Sequence, residues 1–103
     1  EGPVAVSCTF SKDGKTATVK FKNVGDGLKA SGGALKGFGV ITNPVWTSPL
    51  SVTITGPDTV TVKSNAKMLW VGYNTARDMS FPETMTLCNS AGVPSSAWQF
   101  ANN

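Results

Sequence analysis

Few side chains in this chain are able to do chemistry. Its 103 residues include two cysteines, one tyrosine, three tryptophans and six carboxylates, and no histidine. Without an imidazole the commonest general base near neutral pH and the commonest zinc ligand are both missing, so Ser/His/Asp, Cys/His and zinc-finger arrangements are excluded. Asp13, Asp26, Asp58 and Asp78 each stand in turn-like sequence, where a carboxylate caps its own backbone. No two lie close enough in sequence to act as an acid and base pair, and a shared calcium site is the weaker reading of them. The spacing Gly25-Asp26-Gly27 has the look of a phosphate loop. Such a cradle needs a helix start just downstream, which Leu28-Lys29-Ala30-Ser31-Gly32-Gly33 cannot make, so a β-turn is expected. No metal and no cofactor is implied.

Cys8 and Cys88 fall in the first and last strand-like segments. A disulfide between them would close a long loop and contribute about 4–5 kcal/mol in the chain-entropy model. Both positions also suit an apolar side chain and free cysteine is commonly buried, so a pair of free thiols is the preferred reading and the disulfide its alternative. Trp46, Tyr73 and Trp98 are the candidates for stacking on a pyranose ring or for contact with a neighbouring domain, with core packing as the plain alternative. Trp70 sits in the most apolar segment and is expected in the core.

The elements that must position these residues are strands. Thr and Val are abundant and only 15% of residues are charged, which favours an extracytoplasmic β-protein. Val4, Val6, Cys8 and Phe10 alternate with smaller or polar residues and predict a half-buried strand. Ser11-Lys12-Asp13-Gly14-Lys15 then supplies a tight hairpin into Ala17, Val19 and Phe21. Lys20 and Lys22 project to solvent, where they would blunt a sheet edge if the strand lies at one. Further strands are expected at Leu28 to Ala30, Gly37 to Ile41, Leu50 to Thr55, Thr59 to Lys63 and Met68 to Tyr73, with irregular chain around Asn43-Pro44, Val45 and Trp46. Met68 to Tyr73 is apolar on both parities and fits a central strand covered on both faces. The remainder, Asn74 to Asn103, with Phe81, Trp98 and Phe100, reads as long loops holding one short strand near Met85 to Cys88. Seven or eight short strands without an internal repeat predict an all-β antiparallel sandwich, immunoglobulin-like or jelly-roll-like, in one domain over residues 1–103.

The formal net charge is only +3. That excess, with a single Arg, does not make the basic, aromatic-lined surface of a nucleic-acid binder. Apolar runs fall far short of the roughly 20 residues of a membrane-spanning helix, and Glu1-Gly2-Pro3 has neither the basic nor the apolar region of a signal peptide. The chain reads as a mature or excised fragment.

Several short motifs are familiar. Val71-Gly72-Tyr73 followed by Leu87-Cys88-Asn89-Ser90-Ala91-Gly92-Val93-Pro94-Ser95-Ser96-Ala97-Trp98 resembles the closing motif of the sialate O-acetylesterases. That motif runs Val-Arg-Tyr-Ala-Trp, Asn-Leu-Tyr-Asn and Gly-Leu-Pro-Ala-Ser-Pro-Phe. Phe21-Lys22-Asn23-Val24-Gly25-Asp26-Gly27-Leu28 is similar to the family's strand and turn ending in Gly-x-Gly-Leu, and Leu35-Lys36-Gly37-Phe38 to its Leu-Lys-Gly-Phe. Gly2-Pro3 matches a Gly-Pro before the family's first C-terminal strand. The likeness covers essentially the whole chain. It implies a non-catalytic C-terminal accessory sandwich, extracytoplasmic, whose partner is an SGNH hydrolase domain of the same polypeptide and whose wider ligand is a glycan. The catalytic Ser and His would belong to that other domain, in agreement with the missing histidine. The chain departs from the family at Gly72 (Arg there), Thr75 (Trp there) and Cys88 (Tyr there), and its loop from Asn74 to Thr86 is longer. An autonomous carbohydrate-binding module and a structural spacer domain are the competing readings.

Overall fold

The computed structural model describes residues 2–33, 35–42, 46–73 and 86–103. The expectations for Asp78, Phe81, Thr75, Asn43-Pro44 and the loop after Tyr73 lie outside the described residues.

The first hairpin forms where the turn chemistry demands it. Gly14 takes a left-handed φ of 74°, and its N–H donates to the Ser11 carbonyl at 2.9 Å. The Asp13 carboxylate accepts from Ser11 Oγ at 2.7 Å and from the Lys15 N–H at 2.9 Å, which closes the turn and holds its carboxyl below the usual carboxylate range. The flanking strands are β1 (Val4–Phe10) and β2 (Thr16–Lys22). Strict alternation along β1 fails at one residue. The register slips between Ala5 and Ser7, so Val6 bulges out and is 49% exposed, while Ala5, Cys8 and Phe10 pack on the core opposite Phe21, Val19 and Ala17. The expected inward set of Val4, Val6, Cys8 and Phe10 is therefore corrected at its N-terminal half.

The chain continues through β3 (Lys29–Ala30), a 3₁₀ turn at Ser31–Gly33, β4 (Phe38–Ile41), β5 (Trp46–Thr47), β6 (Ser51–Gly56), β7 (Thr59–Lys63), β8 (Trp70–Tyr73), β9 (Leu87–Cys88) and β10 (Trp98–Ala101). One four-stranded antiparallel sheet runs β1-β2-β7-β6 and a second runs β10-β8-β4-β5, with β3 and β9 as a small ribbon. β2 is an inner strand, so Lys20 and Lys22 guard no edge; they stand on the outward face. Val19, Phe21, Val60 and Val62 of the first sheet and Phe38, Val40, Val71 and Tyr73 of the second share one buried cluster, which makes the molecule an all-β sandwich.

β8 is central in its sheet, between β10 and β4, and Val71, Gly72 and Tyr73 are all buried, as its two-sided apolar pattern predicts. Two strands escaped the sequence reading. β10 lay in a segment read as loop, and β5, only two residues long, lay in chain read as irregular. Both are added to the sheet through pairing with β8 and β4, a non-local cause that periodicity over so few residues does not carry.

Candidate functional site

The register of the second sheet decides which aromatic residues face where. Residues directly opposite each other on neighbouring strands share a face. Phe38, Tyr73 and Trp98 are opposite one another across β4, β8 and β10 and point into the core. Their rings make one cluster: Phe38 and Tyr73 lie 4.7 Å apart between centroids, Tyr73 and Trp98 stack at 6.3 Å, and Trp98 meets Phe100 at 5.7 Å. Phe21 reaches across from the other sheet to stand edge-on to Trp98 at 5.8 Å. The indole N–H of Trp98 is buried with no hydrogen-bond acceptor among the described residues.

Three strand positions along, Ile41 stands opposite both Trp46 and Trp70, on the other parity, so these three belong to the outward row of the same sheet. Trp70, expected in the core, is half-buried and outside the inter-sheet cluster. Trp46 shares its row and is 6% exposed, and Tyr73 is 0% exposed. The candidates for a sugar platform are thus dispersed: Tyr73 is core, Trp98 is the partly open end of an inward aromatic row, and Trp46 is covered on the opposite face. One signal was available beforehand, since a residue two positions from a core tyrosine on a strand shares its face and Trp70 is three away.

Tyr73 also holds the backbone. Its hydroxyl accepts the Leu87 N–H at 2.9 Å, tying β8 to the start of β9. Burial pushes its phenol up to about 12, against the lowering effect of the backbone N–H groups of Leu87 and Thr86.

The two cysteines are free thiols and are not joined. Cys8 faces Val19 on the edge strand of the first sheet, where burial pushes its thiol up to about 11. Cys88 pairs with Lys29 in the small ribbon and its Sγ lies 3.5 Å from the Lys29 carbonyl oxygen. Each is held by its own sheet partner. The Cys8 thiol, with so high a pKa, is a weak nucleophile at neutral pH. Among the described residues, no three of His, Cys, Asp and Glu gather as metal ligands.

The motifs scattered along the sequence converge at one end of the sandwich. Asn89, buried, accepts the Ala91 and Val93 N–H groups on Oδ1 at 3.0 Å and donates from Nδ2 to the Asn23 carbonyl at 3.3 Å. Ser90 donates its N–H to the Val24 carbonyl at 3.1 Å and accepts the Asp26 N–H on Oγ at 2.8 Å. Thr86 receives the Lys36 N–H on Oγ1 at 2.7 Å, and Ser95 Oγ donates to the Pro3 carbonyl at 3.3 Å. Gly25 has a φ of 66°, and a side chain there would strike Ser90 Oγ, so the position requires glycine on both counts. The Gly25-x-Gly27 turn, the Leu35 to Phe38 segment, the closing segment and Gly2-Pro3 are therefore parts of one hydrogen-bonded clamp. Its outer tip, Ala91-Gly92-Val93-Pro94, is exposed.

Two adjoining clefts open where the chain passes from β5 in one sheet to β6 in the other. One, of about 220 Å³, lies between Leu35 to Phe38 and Ser48 to Val52; the other, of about 360 Å³, is bordered by Thr42, Thr47 and Ser64 to Ala66. Both share Ser48, Pro49 and Leu50, and Leu50 is 63% exposed. Among the described residues that line them, neither cleft has a carboxylate, a cysteine or a tyrosine, and Lys36 is the one titratable side chain, in the smaller cleft.

No protein-family model matches the chain, and no curated protein matches it. Among solved structures, a carbohydrate acetylesterase from Xanthomonas citri superposes with a TM-score of 0.77 at 25% identity, covering 98% of this chain and 23% of that one. The chain spans less than a quarter of the length of that enzyme. The likeness supports a domain associated with carbohydrate esterases and does not reach the sialate-specific family.

Proposed function

We propose that this chain is a non-catalytic C-terminal accessory domain of a carbohydrate O-acetylesterase, acting outside the cytoplasm and packing against a hydrolase domain of the SGNH type in the same polypeptide. The observation that carries this reading is the superposition of nearly the whole chain on a small part of a carbohydrate acetylesterase. The absence of any histidine and the dispersal of the remaining reactive groups agree with it. On this reading the clamp built by the resembling motifs is the rigid end of the domain, and its exposed Ala91 to Pro94 tip is the surface offered to the hydrolase domain. The sialate-type substrate implied by those motifs is the finer version of the same proposal.

The isolated chain is expected to fold and to release no acetate from p-nitrophenyl acetate or from O-acetylated glycans above the buffer rate. Turnover by the pure chain that survives repurification would reject the proposal. An upstream coding sequence lacking a hydrolase domain would reject it as well.

A further inference from the structure

The outward face of the β1-β2-β7-β6 sheet carries hydroxyls and lysines, and the charged side chains of its strands are all of one sign. Its rows follow from the register. Ser7, Lys20 and Thr59 lie opposite one another; so do Thr9, Thr18, Thr61 and Thr53; so do Thr16, Lys63 and Ser51, and Lys22 stands opposite Val4. Neighbours are about 4.8 Å apart across the strands and roughly 6–7 Å apart at alternate positions along them. Hydroxyls fill most of this lattice, and one neighbouring pair, Thr55 and Thr61, is already in hydrogen-bond contact at 2.9 Å. The four strands contain no Asp, Glu or Arg, and their aromatic residues Phe10 and Phe21 pack on the inner side. Among the described residues Lys20, Lys22 and Lys63 have no carboxylate partner. Of the acidic residues flanking these strands, Asp13 is engaged by Ser11 and Lys15 at the hairpin and Asp58 by Thr59 Oγ1 at 2.9 Å in the β6 to β7 turn, while Asp26 lies four residues beyond Lys22.

We propose that this face is a binding surface for a carboxylate-bearing polysaccharide, a polyuronate strand. Three unpaired ammonium groups give charge complementarity to a chain of carboxylates. The threonine and serine hydroxyls donate to and accept from sugar hydroxyls at the repeat of the sheet. A neutral glycan would look for an aromatic platform, which this face lacks. A nucleic acid would look for arginines and stacking rings, which it also lacks. The surface rests on strand register and charge alone and does not depend on the accessory-domain reading, because binding is measured on this chain with no turnover.

The test is titration of the chain with polygalacturonate at low salt, beside the same polymer with its carboxyls reduced to alcohols. The wild-type chain is expected to bind the first and not the second, and to release it in about 0.5 M NaCl. Replacing Lys20, Lys22 and Lys63 together by Ser is expected to weaken binding by about tenfold or more, a size that fits three exposed ion pairs. Replacing Lys29, Lys36 and Lys67 by Ser removes the same net charge from other elements and is expected to change binding by less than about twofold. All six side chains are exposed, and a retained β circular-dichroism spectrum verifies folding of both variants. Equal losses in the two triple variants, equal binding of the carboxyl-reduced polymer, no binding by wild type, or tighter binding of a DNA fragment than of polygalacturonate would each overturn the proposal.

Discussion

At the scale of the residue, Tyr73 shows how far a chemically capable side chain can be absorbed by structure. Its ring is part of the core and its hydroxyl serves a backbone N–H, so no face is left for a ligand. Replacing it by Phe removes the acceptor for a buried N–H and is expected to lower unfolding free energy by about 1–3 kcal/mol, measured in urea. A pH dependence follows from the same burial. The Cys8 thiol rises from 9.0 to about 11 and the Tyr73 phenol from 10.0 to about 12. Because both are raised, the unfolded chain gives up these protons first; their contribution is intact below about pH 9 and is lost as pH climbs through 11 and 12. Urea midpoints are expected to decline over this range, and less steeply in Tyr73→Phe. A wild-type midpoint that stays flat to pH 12 would contradict the burial of both groups. Tyr73 was legible as an aromatic residue on a strand, but its orientation depended on partners that the residue itself does not name.

At the scale of the element, the turns were readable because a turn is a local event. Asp13-Gly14 and Gly25-Asp26-Gly27 form the turns that their residue types require. The strand faces were less so. A single bulge residue, Val6, reverses the parity of the start of β1, and a bulge is set by what the neighbouring strand presents. The contrast between two left-handed glycines tests the clamp. Gly32 has open space around it, so Gly32→Ala is expected to cost only backbone strain, about 1 kcal/mol. Gly25→Ala adds a clash with Ser90 Oγ and the loss of its bond to the Asp26 N–H, and is expected to destabilise by at least about 1 kcal/mol more. Equal urea midpoints for the two variants would show that the clamp contributes nothing.

At the scale of the whole molecule, the sandwich is held by its core and its paired strands rather than by a covalent link. Cys8 and Cys88 sit on different sheets, each occupied with its own partner strand. Addition of dithiothreitol is therefore expected to leave the thermal midpoint of the chain unchanged, and both thiols are expected to react with a maleimide once the chain is unfolded. A midpoint that falls on reduction would show that the two cysteines bond after all. The outward faces of the two sheets also divide unequally: one presents lysines and hydroxyls, the other carries a row of Trp46, Ile41 and Trp70 in which Trp46 is buried. That division could not be read from alternation alone, because the inward parity of a short strand is a property of the pair of sheets.

What the amino-acid order determined by itself was whatever depends on near neighbours or on composition: β-structure throughout, the tight turns, the two-sided burial of β8, and the lack of an imidazole. The tertiary structure alone decided which tryptophans face the core, that the cysteines lie on separate sheets, and that motifs distant in sequence close into one clamp. The physical reason is range. A turn is stabilised by bonds among a few consecutive residues, whereas the facing of a strand and the meeting of its ends are settled by hydrogen bonds and burial between segments far apart along the chain.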